Sequence, residues 1–256
     1  MNKQDVIKMI FKYMQEDDRN AVDNYLNNNK EYNDISDSSM IDDLFKSKLD
    51  YFMDNITISD GDIIRRYSGY DYKNINAFLR DNWSYDINGK LDDDKKDFYL
   101  DYSNNLEKLI NLFPKLDTNI RTYRGVPLSY FKDYGISDIS DLKKLEGGFL
   151  YDEAFISTSL VKGTDYFKKS NELGLNYNVR IVYGIDGDYS SGAILSHDNL
   201  SYSKDQLEFL INKGSLSKVD RVVINDDNTA VLYVTLVPTI IWDKNRYLNN
   251  EKNKLM

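Results

Sequence analysis

The chain has 256 residues, 41% hydrophobic and 29% charged, an ordinary globular composition that argues against wholesale disorder. The 33 Lys and Arg against 42 Asp and Glu give a net charge of −9, which disfavours a basic nucleic-acid-binding surface. The absence of cysteine excludes disulfides and cysteine-based zinc sites, and one histidine, His197, cannot assemble a metal site by itself.

Residues 1–118 predict mostly helices, because apolar residues recur there at helical spacing. Asp60 is the predicted N-cap of one helix, and residues 67–70 are a predicted turn into a short helix over residues 74–79. No stretch approaches the roughly 20 apolar residues of a membrane span. The first residues lack the uninterrupted apolar run of a signal peptide.

From about residue 119 the apolar pattern changes to period two, which is typical of half-buried strands. Residues 120–126 and 177–185 read as strands, and residues 222–237 read as a hairpin around a polar turn. Short strands with Gly and Asn/Asp turns indicate two packed sheets. The sequence therefore predicts an α+β fold, with a helical N-terminal portion packed on a two-sheet core.

Three short stretches on these strands carry polar side chains that could do chemistry. They are Arg124, then Ser157-Thr158-Ser159, then Gln206-Leu207-Glu208. Taken alone, an arginine on a strand reads as a surface salt bridge, and the other two read as exposed strand ends. On a strand, residues two apart point to one face, so Gln206 and Glu208 are predicted to share a face.

The order of these stretches resembles the Arg–Ser–Glu signature of the mono-ADP-ribosyltransferases. The segment from Tyr67 to Arg80, with Asn76 inside it, resembles the C3-like exoenzymes and the enzymatic components of binary toxins. The resemblance implies an ADP-ribosyltransferase core of two sheets. It divides the chain into a helical extension (1–59), a catalytic domain (60–240) and a polar tail (241–256).

The resemblance implies that the enzyme cleaves the bond between nicotinamide and ribose in NAD without a metal and passes the ADP-ribose to a protein. Glu208 would stabilise the oxocarbenium-like transition state, as carboxylates do in glycoside hydrolysis. Ser157 would orient Glu208 by a hydrogen bond, and Thr158 and Ser159 would support the strand end.

The NAD-binding residues that the resemblance implies are Arg124, Gly125, Arg80, Asn76, Thr158, Ser159, Tyr166 and Phe167. The guanidinium groups of Arg124 and Arg80 suit phosphate, and the backbone at Gly125 would hold the nicotinamide amide. Either Tyr166 or Phe167 would lie beside nicotinamide, and core packing is an equal alternative for both.

Gln206 would select the acceptor, because C3-like members have Gln here and arginine-modifying members have Glu. An amide can pair with an acceptor amide, so Asn or Gln is expected, with a Rho-type GTPase as the leading candidate. Two departures from the family pattern weaken the assignment of that target. The family has an aromatic residue three positions before the Gln, but here that position is Ser203 and the aromatic residue, Tyr202, comes one position earlier. The chain is also acidic and shows no signal peptide.

Three other functions stay open at this point: arginine modification, NAD hydrolysis alone, and a non-catalytic targeting module of the same fold. The expected partners are NAD and a protein acceptor, with a separate binding and translocation component as a further option. The protein would be secreted or otherwise delivered to a target cell, and would be cytoplasmic in its producer otherwise.

Overall fold

The computed structural model describes residues 2–81, 83–164, 177–189, 192–195, 207–239 and 241. The α-helices in this part of the chain are α1 (Lys3–Tyr13), α2 (Glu16–Asn27), α3 (Ser38–Asn55), α4 (Ile58–Arg66), α5 (Tyr72–Arg80) and α6 (Asp93–Leu112). Short 3₁₀ helices cover Leu128–Tyr134, Ile139–Leu145 and Gly187–Tyr189. In the described ranges, none of the helices combines the length and apolarity that crossing a membrane requires.

Helix α4 begins with a capping box that corrects the predicted N-cap. The Thr57 hydroxyl accepts a hydrogen bond from the Asp60 backbone N–H at 3.2 Å, and the Asp60 carboxylate accepts one from the Thr57 N–H at 2.9 Å. Asp60 as the N-cap was therefore wrong by three positions: Thr57 is the cap, and Asp60 is the reciprocal acidic partner.

The predicted turn at residues 67–70 is also wrong, because the chain stays helical there. Tyr67–Asp71 form a π-helical segment that runs directly into α5. Single π turns insert an extra residue into a helix and occur often at functional sites. The inserted turn buries Tyr67, which is 1% exposed, and leaves Tyr70 exposed.

The strands are β1 (Tyr85–Asp86), β2 (Gly89–Lys90), β3 (Ile120–Val126), β4 (Phe149–Asp152), β5 (Ile156–Ser159), β6 (Val179–Ile185), β7 (Gly192–Ile194), β8 (Glu208–Ile211), β9 (Ser215–Ile224) and β10 (Ala230–Val237). The first two form a small hairpin, and the other eight pair in the order β4-β9-β10-β6-β3-β5-β8-β7. Only β6 and β10 pair in parallel among these described strands.

The eight strands consist of a five-stranded part and a three-stranded part, which meet between β3 and β5. These two strands share a single residue pair, Tyr123 with Ser159, whereas β3 and β6 pair along their whole length. The predicted α+β architecture is confirmed, as are the strand at β6 and the β9–β10 hairpin.

The N-terminal helices pack in two places. Side chains from α3, including Phe45 and Phe52, belong to the main core together with the sheet. Ile10 and Met14 of α1 join a second apolar cluster with Leu216 and Val237. The predicted division between residues 59 and 60 falls within α4, and the domain division stays a prediction.

Replacing Thr57 by alanine should lower the free energy of unfolding by about 1 kcal/mol, since it removes the N-cap acceptor of α4. Urea unfolding followed by circular dichroism measures the change. Ser59→Ala, on an exposed residue two positions further into the helix, is the matched control and should cause no loss. Equal destabilisation by the two substitutions would contradict the capping role.

Candidate active site

A cleft of about 690 Å³ lies between the helical segment 67–80 and strands β3, β5 and β8. The predicted site residues that line it are Asn76, Arg80, Arg124, Gly125, Ser157, Thr158, Ser159 and Glu208. Gln206, Tyr166, Phe167 and His197 lie outside the described residues. The fold thus brings together side chains that are far apart in the sequence.

The pairing of three neighbouring strands aligns the residues of the cleft. Tyr123 on β3 pairs with Ser159 on β5, and Ser159 pairs with Glu208 on β8. Ser157 is two residues from Ser159 and lies on the same face of β5. It is therefore a diagonal neighbour of Glu208, within reach of its side chain.

The Ser157 hydroxyl donates a hydrogen bond of 2.5 Å to Glu208 Oε1. Glu208 is buried, with 6% of its surface exposed. Burial raises the pKa of the Glu208 carboxyl above its ordinary value, and the hydrogen bond from Ser157 works in the opposite direction. Ser157 therefore orients the carboxylate and stabilises its charged form.

Among the residues that the structure describes, Arg124 has no salt-bridge partner, in contrast to the surface pair that its sequence context alone suggests. Its Nη1 is buried without a hydrogen-bond partner among the described residues, and its guanidinium lies 5.6 Å from the centroid of the Tyr130 ring. A buried cationic donor is costly unless an acceptor meets it. Because Arg124 lines the cleft, a bound anion such as phosphate fits that need.

Arg80 reaches the cleft from the last turn of α5 and is held there by Asp152, at the end of β4. Its Nε and Nη2 donate to the two carboxylate oxygens of Asp152 at 3.1 and 3.0 Å. Burial would raise the pKa of Asp152, but Arg80, Lys3 and Arg124 together hold it well below its usual range. The pair is thus ionised on both sides.

Sequence reasoning missed Asp152 and its second partner, Tyr130. The Tyr130 hydroxyl donates to Asp152 Oδ2 at 2.9 Å, and the Ala154 backbone N–H donates to Oδ1 at 3.0 Å. The one signal available was an acidic side chain at the end of the apolar stretch Phe149-Leu150-Tyr151. A buried acid in such a stretch needs a cationic partner.

Two other predicted residues, Thr158 and Ser159, bond within the protein. The Thr158 hydroxyl donates to the Phe209 carbonyl at 2.8 Å, and the Ser159 hydroxyl donates to the Val161 carbonyl at 3.1 Å. These bonds tie β5 to β8 and to the chain that follows it. The geometry agrees with a supporting role at the strand end.

Asn76 is positioned by Tyr67, the buried residue at the start of the π-helical segment. The Asn76 amide and the Tyr67 hydroxyl are hydrogen-bonded at 3.0 Å, and the Tyr67 ring packs edge-on against Phe155 at 5.4 Å between centroids. This contact joins the helical wall of the cleft to the chain that enters β5.

The prediction that Gln206-Leu207-Glu208 form a strand is wrong at Leu207, and the shared face of Gln206 and Glu208 stays a prediction because Gln206 lies outside the described residues. Strand β8 begins at Glu208, and Leu207 has a left-handed φ of 46°, so the alternation of a strand does not extend back through it. The Leu207 carbonyl still accepts a hydrogen bond of 2.8 Å from Leu160 N–H. That bond fixes the chain immediately before the buried glutamate.

The donor set of the described residues fits an organic anion better than a metal. These residues contain no group of three or more His, Cys, Asp or Glu side chains that could hold an ion. The cleft instead offers two arginines, one buried carboxylate and several hydroxyls. NAD, with its two phosphates and its ribosyl bond, matches that set.

Comparison with known proteins gives a family and a fold. A sequence model of the family described as ADP-ribosyltransferase exoenzyme matches residues 43–239. No match is found among curated protein sequences. The solved structure of C3stau2 from S. aureus with NAD is 17% identical at a TM-score of 0.61, covering 82% of this chain and 100% of that one.

Two further structures extend the likeness. The ADP-ribosylating toxin BECa of a binary enterotoxin of C. perfringens, solved with NADH, is 18% identical at a TM-score of 0.63, over 81% of this chain and 50% of that one. The ADP-ribosyltransferase Vis, solved with agmatine, is 18% identical at a TM-score of 0.55, over 81% of this chain and 89% of that one. At these identities the likeness shows the fold alone.

Replacing Ser157 by alanine should raise the pKa of Glu208 further, because the carboxylate loses a hydrogen bond that favours its charged form. A carbon-13 NMR titration of the glutamate carboxyls measures the change. Thr158→Val is the control, since that neighbouring hydroxyl bonds the Phe209 carbonyl and not Glu208. A Glu208 pKa that is unchanged or lower in Ser157→Ala would contradict the assigned hydrogen bond.

Proposed function

We propose that this chain modifies an amide side chain of a target protein. It belongs to the ADP-ribosyltransferase exoenzyme family and is an NAD-dependent mono-ADP-ribosyltransferase. One observation carries the proposed chemistry: Ser157 holds the buried Glu208 carboxylate at 2.5 Å, in a cleft that also contains Arg80 and Arg124.

In the proposed reaction the bond between nicotinamide and ribose C1′ breaks, and nicotinamide leaves with the bonding electron pair. Positive charge develops on the ribose, and the Glu208 carboxylate stabilises it. The acceptor amide nitrogen then forms the new bond to C1′ and loses a proton. Ser157 keeps Glu208 ionised and oriented while the charge develops.

The two arginines support binding of the NAD phosphates. Arg124 brings a buried donor that lacks a partner among the described residues. Arg80 uses one N–H of Nε and one of Nη2 for Asp152, and within the described part of the chain its three other N–H groups form no hydrogen bond. Two fixed guanidinium groups in one cleft suit a pyrophosphate.

The acceptor class is proposed from Gln206, the residue two positions before Glu208. An amide there favours Asn or Gln as the acceptor, and a Rho-type GTPase is the leading target. Arginine is the alternative acceptor, because one structural neighbour was solved with agmatine, which carries a guanidinium group. NAD hydrolysis alone is the third alternative, with water in place of the acceptor.

The remaining alternative, a non-catalytic targeting module, is disfavoured by the cleft. Arg124, Ser157 and Glu208 lie on adjacent strands around one cavity, which a module without chemistry would not need. Delivery to a target cell, by export or through a separate binding and translocation component, belongs to the same proposal.

Glu208→Gln keeps the shape of the side chain and removes its charge. Nicotinamide release should fall about 10²–10³-fold, the range found when one electrostatic contact to a transition state is lost. Chromatographic measurement of nicotinamide tests this, with Glu31→Gln, an exposed residue, as the control. Unchanged release by a folded Glu208→Gln protein would refute the role of Glu208.

Gln206→Ala should abolish transfer to protein and leave most NAD hydrolysis, because water needs no amide partner. Gln206→Glu should permit some transfer to arginine. Both are tested on one preparation by nicotinamide release and by labelled ADP-ribose on protein from a cell lysate, with the modified residue mapped by mass spectrometry. Equal loss of both activities in Gln206→Ala would assign Gln206 to the NAD site. Efficient labelling of arginine by the wild type would exclude the amide acceptor.

A further inference from the structure

The carboxylate that fixes Arg80 is more completely surrounded than a simple ion pair would be. The Asp152 side chain is 2% exposed, and it accepts four hydrogen bonds, two from Arg80 and one each from Tyr130 and Ala154. The Asp152 carboxylate is thus shielded from water, and charges near it act on it with little screening. Whatever charge lies next to it will therefore affect how firmly Arg80 is held.

A cation from outside the family-matched residues 43–239 lies beside this site. Lys3, the first residue of α1, is 8% exposed. Its Nζ donates to the Tyr151 carbonyl at 3.2 Å and lies 3.3 Å from Glu153 Oε2. Lys3 thus binds both chain neighbours of Asp152, and its charge is one of those that hold the pKa of Asp152 low.

Tyr130 lies between Lys3 and Arg124, which lines the cleft. Its hydroxyl bonds Asp152, while its ring lies 5.5 Å from Lys3 Nζ and 5.6 Å from the Arg124 guanidinium. One ring therefore contacts both the cation of α1 and the arginine of β3. Asp152 is buried beside a second acid, Glu153, and the positive charges that act on it come from Arg80, Lys3 and Arg124 together.

We propose that Lys3 is a positioning residue for NAD binding: it balances the charge of the buried Asp152 and of the neighbouring, half-buried Glu153, so that Asp152 holds Arg80 in the cleft. Helix α1 then acts on the cleft indirectly, through Asp152 and Arg80, and is not only a cover for the second apolar cluster. The inference rests on the proposed NAD-binding role of Arg80 but does not depend on the identity of the acceptor.

Lys3→Met removes the charge and keeps much of the apolar stem. The helix should stay docked, because Ile10 and Met14 still pack in the second apolar cluster and the Gln4 side chain still bonds the Tyr134 carbonyl at 3.2 Å. In nicotinamide release we expect the KM for NAD to rise about fivefold or more, as for a modest coupling between sites, with kcat little changed. Lys3→Arg should restore the KM.

The matched control is Lys30→Met. Lys30 is also a largely buried lysine of the N-terminal region, paired with Asp186 and packed on the Tyr25 ring at 3.3 Å, but its partner is not the acid that bonds Arg80. Its loss should lower the thermal midpoint and leave the KM for NAD unchanged. A KM that rises equally in both variants would reduce Lys3 to a general stabilising contact and overturn the proposal.

A double-mutant cycle tests whether Lys3 acts through Arg80. In an Arg80→Ala background, Lys3→Met should cause no further rise in the NAD dissociation constant measured by calorimetry. If the effects of Lys3→Met and Arg80→Ala on the free energy of NAD binding add in full, the proposal is overturned. If the wild type neither binds nor cleaves NAD, the proposed function fails as well; if it does both and Lys3→Met matches it, this inference alone fails.

Discussion

The alignment of β3, β5 and β8 is the constraint on which the candidate site depends. Tyr123, Ser159 and Glu208 lie side by side across the three strands, so the neighbouring Arg124 and Ser157 have fixed positions relative to the glutamate. A slip of one residue in the pairing of β5 with β8 would turn Glu208 to the opposite face of the sheet. The buried Phe209, Leu210 and Ile211 oppose that slip, because each would have to leave the packing place that fits its own shape.

The cleft is lined by positively charged side chains, whereas the whole molecule is negatively charged. The chain has a net charge of −9, yet the groups that line the cavity include Arg80, Arg124 and Lys73. The nearby acid Asp152 forms an ion pair with Arg80. Buried groups feel little screening, so the local field and not the net charge decides which small ion enters. The acidic exterior therefore gives no information on the affinity for a dinucleotide, and it acts on the approach of a protein partner.

Much of the site was predictable because its chemistry is encoded locally. Arg124, Ser157 and Glu208 each lie on or beside a short period-two segment, and their order along the chain is itself the signal. Asp152 and Lys3 were not predictable, since their roles come from contacts across 72 and 148 residues of sequence. Thr57 and the π-helical turn at Tyr67 were missed for another reason: several residues near each helix end could cap or break it, and only tertiary packing decides between them.

The left-handed conformation at Leu207 has a consequence for the evolution of this protein. A bulky side chain with a φ of 46° costs about 1–3 kcal/mol, which the surrounding structure must overcome. Glycine would remove that strain, but it would also remove the Leu207 side chain that packs against the main core immediately before Glu208. Both effects act on stability, so leucine is kept here only as long as its packing against the core outweighs the strain of its backbone. Evolution at this position is therefore constrained by the packing of the side chain more than by the conformational preference of its backbone.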